Sequence, residues 1–275
     1  MSLRVLLVSP LGFLVGLSLG ALGGGGSILA VPVLVYAAGQ DPRAATASSL
    51  FLVGAASLVG IAPHWRAGRV RIGTGVIFGL VGIGGSVAGS QLNRSIDPNL
   101  LLLGFAGLVC VAAWRMLTHC PTCTRVGEQE ALGDSPGSGD ASFPSRTRIT
   151  FRTVVLVVLV GTVVGFLTGL FGVGGGFVIV PALALALKLP MPEAIGTSLL
   201  VIAINSAIAL GPRLAESSID WAVTAPFTIA AVAGVLAGGG VAGRIDARRS
   251  LRWFAGLLVA VAAYTAVRAG SAFIG

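Results

Sequence analysis

The stretch that decides the fold is LGALGGGGSILAVP, residues 19 to 32, with its partner TGLFGVGGGFVIVP at 168 to 181. The first lies in a run without charge from Val5 to Gln40, the second in one from 153 to 187. Glycine is the ordinary residue least willing to stay helical, and backbone in hydrocarbon cannot leave its amides unpaired. Clustered glycines inside such runs therefore mark a break in a membrane helix, sheltered by protein or lining a polar path.

The composition sets the class. The chain has 275 residues, 55% hydrophobic and 10% charged, with 18 Lys/Arg against 10 Asp/Glu and a mean hydropathy of +0.95. That is a polytopic membrane protein. Six further charge-free runs, 44 to 63, 72 to 93, 98 to 114, 194 to 212, 221 to 243 and 253 to 267, each suit one helical crossing. The net charge of +8 collects at the ends of runs, where it reports orientation, not nucleic-acid binding. The opening MSLRVLLVSPLGF is not read as a cleaved signal, because the segment it leads into recurs in the second half.

The recurrence is gapless at a shift of 149 residues. From Gly12 to Leu34 against Gly161 to Leu183, ten of twenty-three positions are identical, and FAGL at 105 to 108 meets FAGL at 254 to 257 in the same register. This divides the chain into an N-terminal transmembrane repeat, 1–118, a flexible cytoplasmic linker, 119–150, and a C-terminal transmembrane repeat, 151–275. The linker is rich in Gly, Ser, Pro and acidic residues.

Corresponding loops differ in charge. The loop at 63 to 71 carries Arg66, Arg69 and Arg71, whereas its partner at 212 to 220 sets Arg213 against Glu216 and Asp220; the basic cluster of the second half lies one connection later, at Arg244, Arg248, Arg249 and Arg252. Flipping the second repeat, with each glycine-broken run entering and leaving on one side, puts 13 of the 18 Lys/Arg in the cytoplasm. Parallel repeats would put 11 there. The expected fold class is an all-α integral membrane protein of two inverted-topology repeats, each a Gly-broken helical hairpin plus three transmembrane helices.

Each break would start a helix whose first amides and positive dipole end suit an anion, as in transporters built from inverted repeats. The candidate substrate-binding residues are Gly23, Gly24, Gly25, Gly26 and Ser27 with Gly172, Gly174, Gly175 and Gly176, and the polar side chains of Ser48, Ser49, Thr197, Ser198 and Asn205. Each hydroxyl could equally bond back to its own helix. The ladders Gly12/Gly16/Gly20 and Gly161/Gly165/Gly169 are assigned to close helix packing, and Pro32 and Pro181 to kinks.

Other features carry less. His64 and Trp65 read as interfacial anchors, and His119-Cys120-Pro121-Thr122-Cys123 lacks the second cysteine pair of a zinc site. Hydrolase and kinase constellations are missing, so an enzyme is not expected. No cofactor or metal is implied. The partners implied are a small anionic substrate and the lipid bilayer, and no nucleic acid; the sequence sets no oligomeric state.

The duplicated pattern of a Gly-rich break followed by Pro (LGALGGGGSILAVPVL, TGLFGVGGGFVIVPAL), each followed by a small-hydroxyl-Ser-Leu element (ASSL, GTSL), resembles the sulfite exporter TauE/SafE family over roughly 10 to 118 and 155 to 270. The resemblance implies a multi-pass permease of the cell inner (plasma) membrane that exports sulfite or organosulfonates. Its glycine breaks correspond here to Gly23, Gly25, Gly26 and Gly172, Gly174, Gly175. The halves differ at Gly24/Val173, at Ser27/Gly176 and at Ala56/Asn205, which would suit an asymmetric substrate. An anion channel using the same helix ends, or a membrane scaffold with glycines for packing alone, are the alternatives.

Overall fold

The computed structural model describes residues 3–93, 95–96, 151–171, 176–216 and 219–242, with isolated helical positions at 104, 107, 108, 110, 111, 114, 115, 256 and 259. Every element among them is helical. The linker 119–150, the second break at Gly172, Gly174 and Gly175, and most of the runs 98 to 114 and 253 to 267 lie outside the described residues.

The first repeat begins with α1, Leu3–Leu22. A 3-10 turn at Gly24–Gly26 leads into α2, Ser27–Pro32, and then into a wider π turn at Val33–Ala37. Two long helices follow, α3 at Pro42–Arg66 and α4 at Ile72–Asn93. The second repeat runs through α5 at Phe151–Phe171 and α6 at Gly176–Pro181, with a π turn at Ala182–Ala186. It continues with α7 at Met191–Glu216 and α8 at Trp221–Ala242. Four of these helices, α3, α4, α7 and α8, contain stretches long and apolar enough to cross a membrane. The described residues thus form an all-helical architecture with several candidate membrane spans, as a multi-pass membrane protein requires.

The break has a local cause. Gly23 sits at φ 72° and ψ −122°, a conformation a side chain resists. Past each of the equivalent prolines, Pro32 and Pro181, the winding loosens in the same way: Ala38 N–H bonds to the Val33 carbonyl at 3.1 Å, and Leu187 N–H to the Ala182 carbonyl at 3.4 Å. Proline has no N–H to give and crowds the preceding turn, so the helix after it opens from α to π. Sequence reading expected one short helix over 27 to 38; the finding is a single α turn that widens.

The halves exchange partners. α1 lies on α8 and α5 lies on α4, running parallel. Gly12, Gly16 and Gly20 face Phe227, Ala231 and Val235, while Gly161, Gly165 and Gly169 face Phe78, Gly82 and Ser86, so each contact recurs one repeat later. Added Cβ atoms there would strike neighbouring backbone carbonyls. In lipid no hydrophobic force draws helices together, and close van der Waals packing of small residues takes its place. The ladders read as packing features are packing features.

The equivalent helices α3 and α7 cross in opposite directions: Gly54 meets Ser206 and Gly60 meets Leu199. The core around them repeats as well, with Leu34 and Leu183 both fully buried and Phe78 and Phe227 nearly so. On the outside, Leu80 and its equivalent Ile229 are 55% and 71% exposed. Such a surface is suited to lipid.

Candidate functional site

The first break meets the start of α6. The space a Cβ on Gly24 would need is filled by the backbone of Gly176, and a Cβ on Gly176 would meet the Ser27 hydroxyl and the Gly24 backbone. A Cβ on Gly23 would stand 2.6 Å from the Ser198 Oγ. Gly23, Gly24, Ser27, Gly176 and Ser198, proposed from opposite halves of the sequence, are therefore neighbours. Gly26 packs against Val15 and Leu19 of its own hairpin. Gly25 lies within the 3-10 turn.

The hydroxyls divide into two groups. Ser27, Ser49 and Ser198 donate back to the carbonyls of Gly24, Thr46 and Ile195 at 2.7, 2.8 and 2.7 Å. Each hydroxyl oxygen keeps acceptor capacity, and a rotation of χ1 would redirect the proton. The Ser49 and Ser198 bonds are equivalent across the repeat, so the pair behaves as one feature seen twice.

Ser48 and Thr197, also equivalent positions, are drawn elsewhere. The Thr224 hydroxyl of α8 bonds to the Ser48 hydroxyl at 3.0 Å, and the Arg71 amide donates to Thr197 Oγ1 at 3.1 Å. Both are fully buried, and both tie a long helix of one repeat to a helix start of the other. They serve assembly in this state. The Oδ1 of Asn205 is buried without a hydrogen-bond partner, a costly condition that a ligand or a moving neighbour would relieve.

Three features were missed by sequence reading. His64 is turned inward and only 3% exposed, packed beside Gly196, while Trp65 at 55% stays outside as an interfacial anchor should. A single helical step separates the two, and no periodicity in an apolar run distinguishes them. Arg71 forms an ion pair with Glu193 that joins the α3–α4 loop to the first turn of α7. Finally, Gln40 is 8% exposed with neither side-chain oxygen nor nitrogen partnered. As the sole amide in an otherwise apolar run it could have been noticed.

Among the described residues no group of three or more His, Cys, Asp or Glu is placed to hold a metal ion.

A family model described as sulfite exporter TauE/SafE matches residues 8–265. A protein of Xylella fastidiosa named "Probable membrane transporter protein" is 33% identical over 266 residues, covering 96% of this chain and 95% of its own. The Bacillus subtilis "Probable membrane transporter protein YdhB" is 26% identical over 82% of this chain and 85% of its own. A Haemophilus influenzae protein of the same description is 35% identical over 41% of this chain and 45% of its own. These relatives are named as transporters, not as enzymes. No solved structure matches the chain significantly.

Proposed function

The chain belongs to the sulfite exporter TauE/SafE family, and we propose that it is a secondary transporter of the inner (plasma) membrane, exporting a small anionic sulfur compound such as sulfite or an organosulfonate by alternating access. The observation that carries this reading is the contact of the first glycine break with the start of α6, Gly24 on Gly176, with Ser27 and Ser198 beside them. Helix starts leave amides without intrahelical partners and carry partial positive charge. Two such starts, from opposite repeats, can bind an anion without a buried lysine or arginine.

The exchange of helices supports the reading of alternating access. Each repeat's first helix is packed on the other repeat's long helix, so two crossed bundles rock about the antiparallel contact of α3 with α7. That antiparallel contact, together with the arginine distribution, supports inverted repeats with the linker in the cytoplasm. A membrane negative inside favours anion exit by about 2.3 kcal/mol per charge per 100 mV. Export then needs no buried carboxylate.

The test is counter-flow in proteoliposomes. Labelled sulfite should accumulate transiently against unlabelled sulfite, saturate with concentration and respond to an imposed potential. Flux that grows linearly without counter-flow would identify a channel instead.

A further inference from the structure

The start of α4 meets the start of α7, and one repeat-length of 149 residues away the start of α8 meets the start of α3. The backbone frames match: Gly75 N–H bonds to the Arg71 carbonyl and Thr224 N–H to the Asp220 carbonyl, both at 2.9 Å. The charges do not. At the first meeting, segments 64 to 75 and 187 to 198 carry Arg66, Arg69, Arg71 and Lys188 against one carboxylate, Glu193. At the second, segments 213 to 224 and 38 to 49 carry Arg43 and Arg213 against Asp41, Glu216 and Asp220. The first end is therefore the one whose field draws anions.

The single carboxylate of the basic end is engaged: Arg71 Nε donates to Glu193 Oε2, and both side chains remain partly exposed. The equivalent positions at the other end are Asp220 and Ala44, which line a cleft of about 550 Å³. An anionic group of the chain thus sits on Arg71 in a place that its counterpart leaves as a cleft. The Arg71 amide also donates to Thr197 Oγ1 at 3.1 Å. Thr197 immediately precedes Ser198, which lies beside Gly23 in the candidate site.

We propose that Arg71 binds the substrate oxyanion at the basic mouth of the path, and that Glu193 is a built-in occupant which the anion displaces. This rests on the reading of the chain as an anion transporter and adds a residue to it. A guanidinium presents its donors in a planar fork that suits a sulfite or sulfonate group as it suits a carboxylate. Because the pair is partly exposed, parting it costs little. With Glu193 released, the anion enters between the starts of α4 and α7; with Glu193 paired again, that entrance is shut.

Two readouts on the full-length protein test this. Protection by sulfite against thermal unfolding in detergent reports binding without transport, and counter-flow in proteoliposomes gives KM. Glu193→Gln removes the competing carboxylate and should lower the apparent Kd and KM for sulfite at least threefold. Arg71→Gln should raise both at least tenfold, and Arg71→Lys, which keeps the charge without the fork, should fall between it and the wild type. A pair that only held α4 to α7 would make Glu193→Gln and Arg71→Gln shift the constants in the same direction. That result, constants unchanged in both variants, or no protection of the wild type by sulfite would overturn the proposal. Saturable wild-type counter-flow alongside such a result rejects the Arg71 site alone. Opposite Kd shifts without any wild-type flux keep the site and reject transport instead.

Discussion

Gly24 and Gly176 meet backbone to backbone, each occupying the space that a Cβ on the other would require. Methyl groups are excluded here by protein, in contrast to Gly84, where an added Cβ meets nothing within 4 Å. Gly24→Ala should therefore cost about 1–3 kcal/mol through overpacking. Gly84→Ala should gain up to about 1 kcal/mol from helix propensity. Thermal midpoints of the two variants in detergent, moving in opposite directions, check this; a shared direction would contradict the contact.

The helix ladder makes a second prediction. Gly16 faces Ala231 and Gly165 faces Gly82, one repeat apart, so Gly16→Leu and Gly165→Leu should damage the protein alike. Both should lower the yield of folded, monodisperse protein in size-exclusion chromatography. Damage from one alone would show that the contacts are not equivalent.

Much of this was legible in advance, and the reasons are specific. Gly23 to Gly26 stand out because a run of four glycines weakens a helix, although Gly238 to Gly240 stay helical within α8, and the 149-residue register placed the ladders on matching faces. The pairing of Ser48 with Thr224 was not legible, since it joins residues 176 positions apart and no local pattern marks Thr224. Nor was the split between inward His64 and outward Trp65, because a terminal helical turn fits either an interface or a core. The π turns after Pro32 and Pro181 were read as kinks; a missing N–H says that the ladder changes without saying how.

Ser198 separates binding from stability. Its hydroxyl bonds to the carbonyl of Ile195 on its own helix, so Ser198→Ala should change stability by less than about 1 kcal/mol. Being beside Gly23, the same change should reduce sulfite flux several-fold. A thermal midpoint within a few degrees of wild type together with unaltered flux would remove Ser198 from the site.

The Arg71–Glu193 pair is partly exposed, with side chains 35% and 26% accessible. Exposed pairs contribute little, and Glu193→Gln should cost no more than about 1 kcal/mol. The loss should shrink in high salt. Chemical or thermal unfolding at low and high NaCl checks both statements, and a large, salt-insensitive loss would mean that Glu193 has another structural role.

The proposed inverted repeats, oriented by their arginines, would place the N-terminus outside and the linker inside. With Cys110, Cys120 and Cys123 replaced, Ser2→Cys should react with a membrane-impermeant maleimide in intact cells, and Ser138→Cys only after the membrane is opened. Labelling of both from the same side would exclude the inverted arrangement.

The central claim is that the paired breaks form the path of an anion. Its most direct measurement is the flux of labelled sulfite into proteoliposomes under an imposed potential, for wild type and for Gly24→Leu reconstituted at equal density and shown to be inserted. Saturable, potential-dependent flux in the wild type and none in the variant is the predicted result. Equal flux in both, or no wild-type flux of sulfite, thiosulfate, sulfate or a sulfonate, would contradict it.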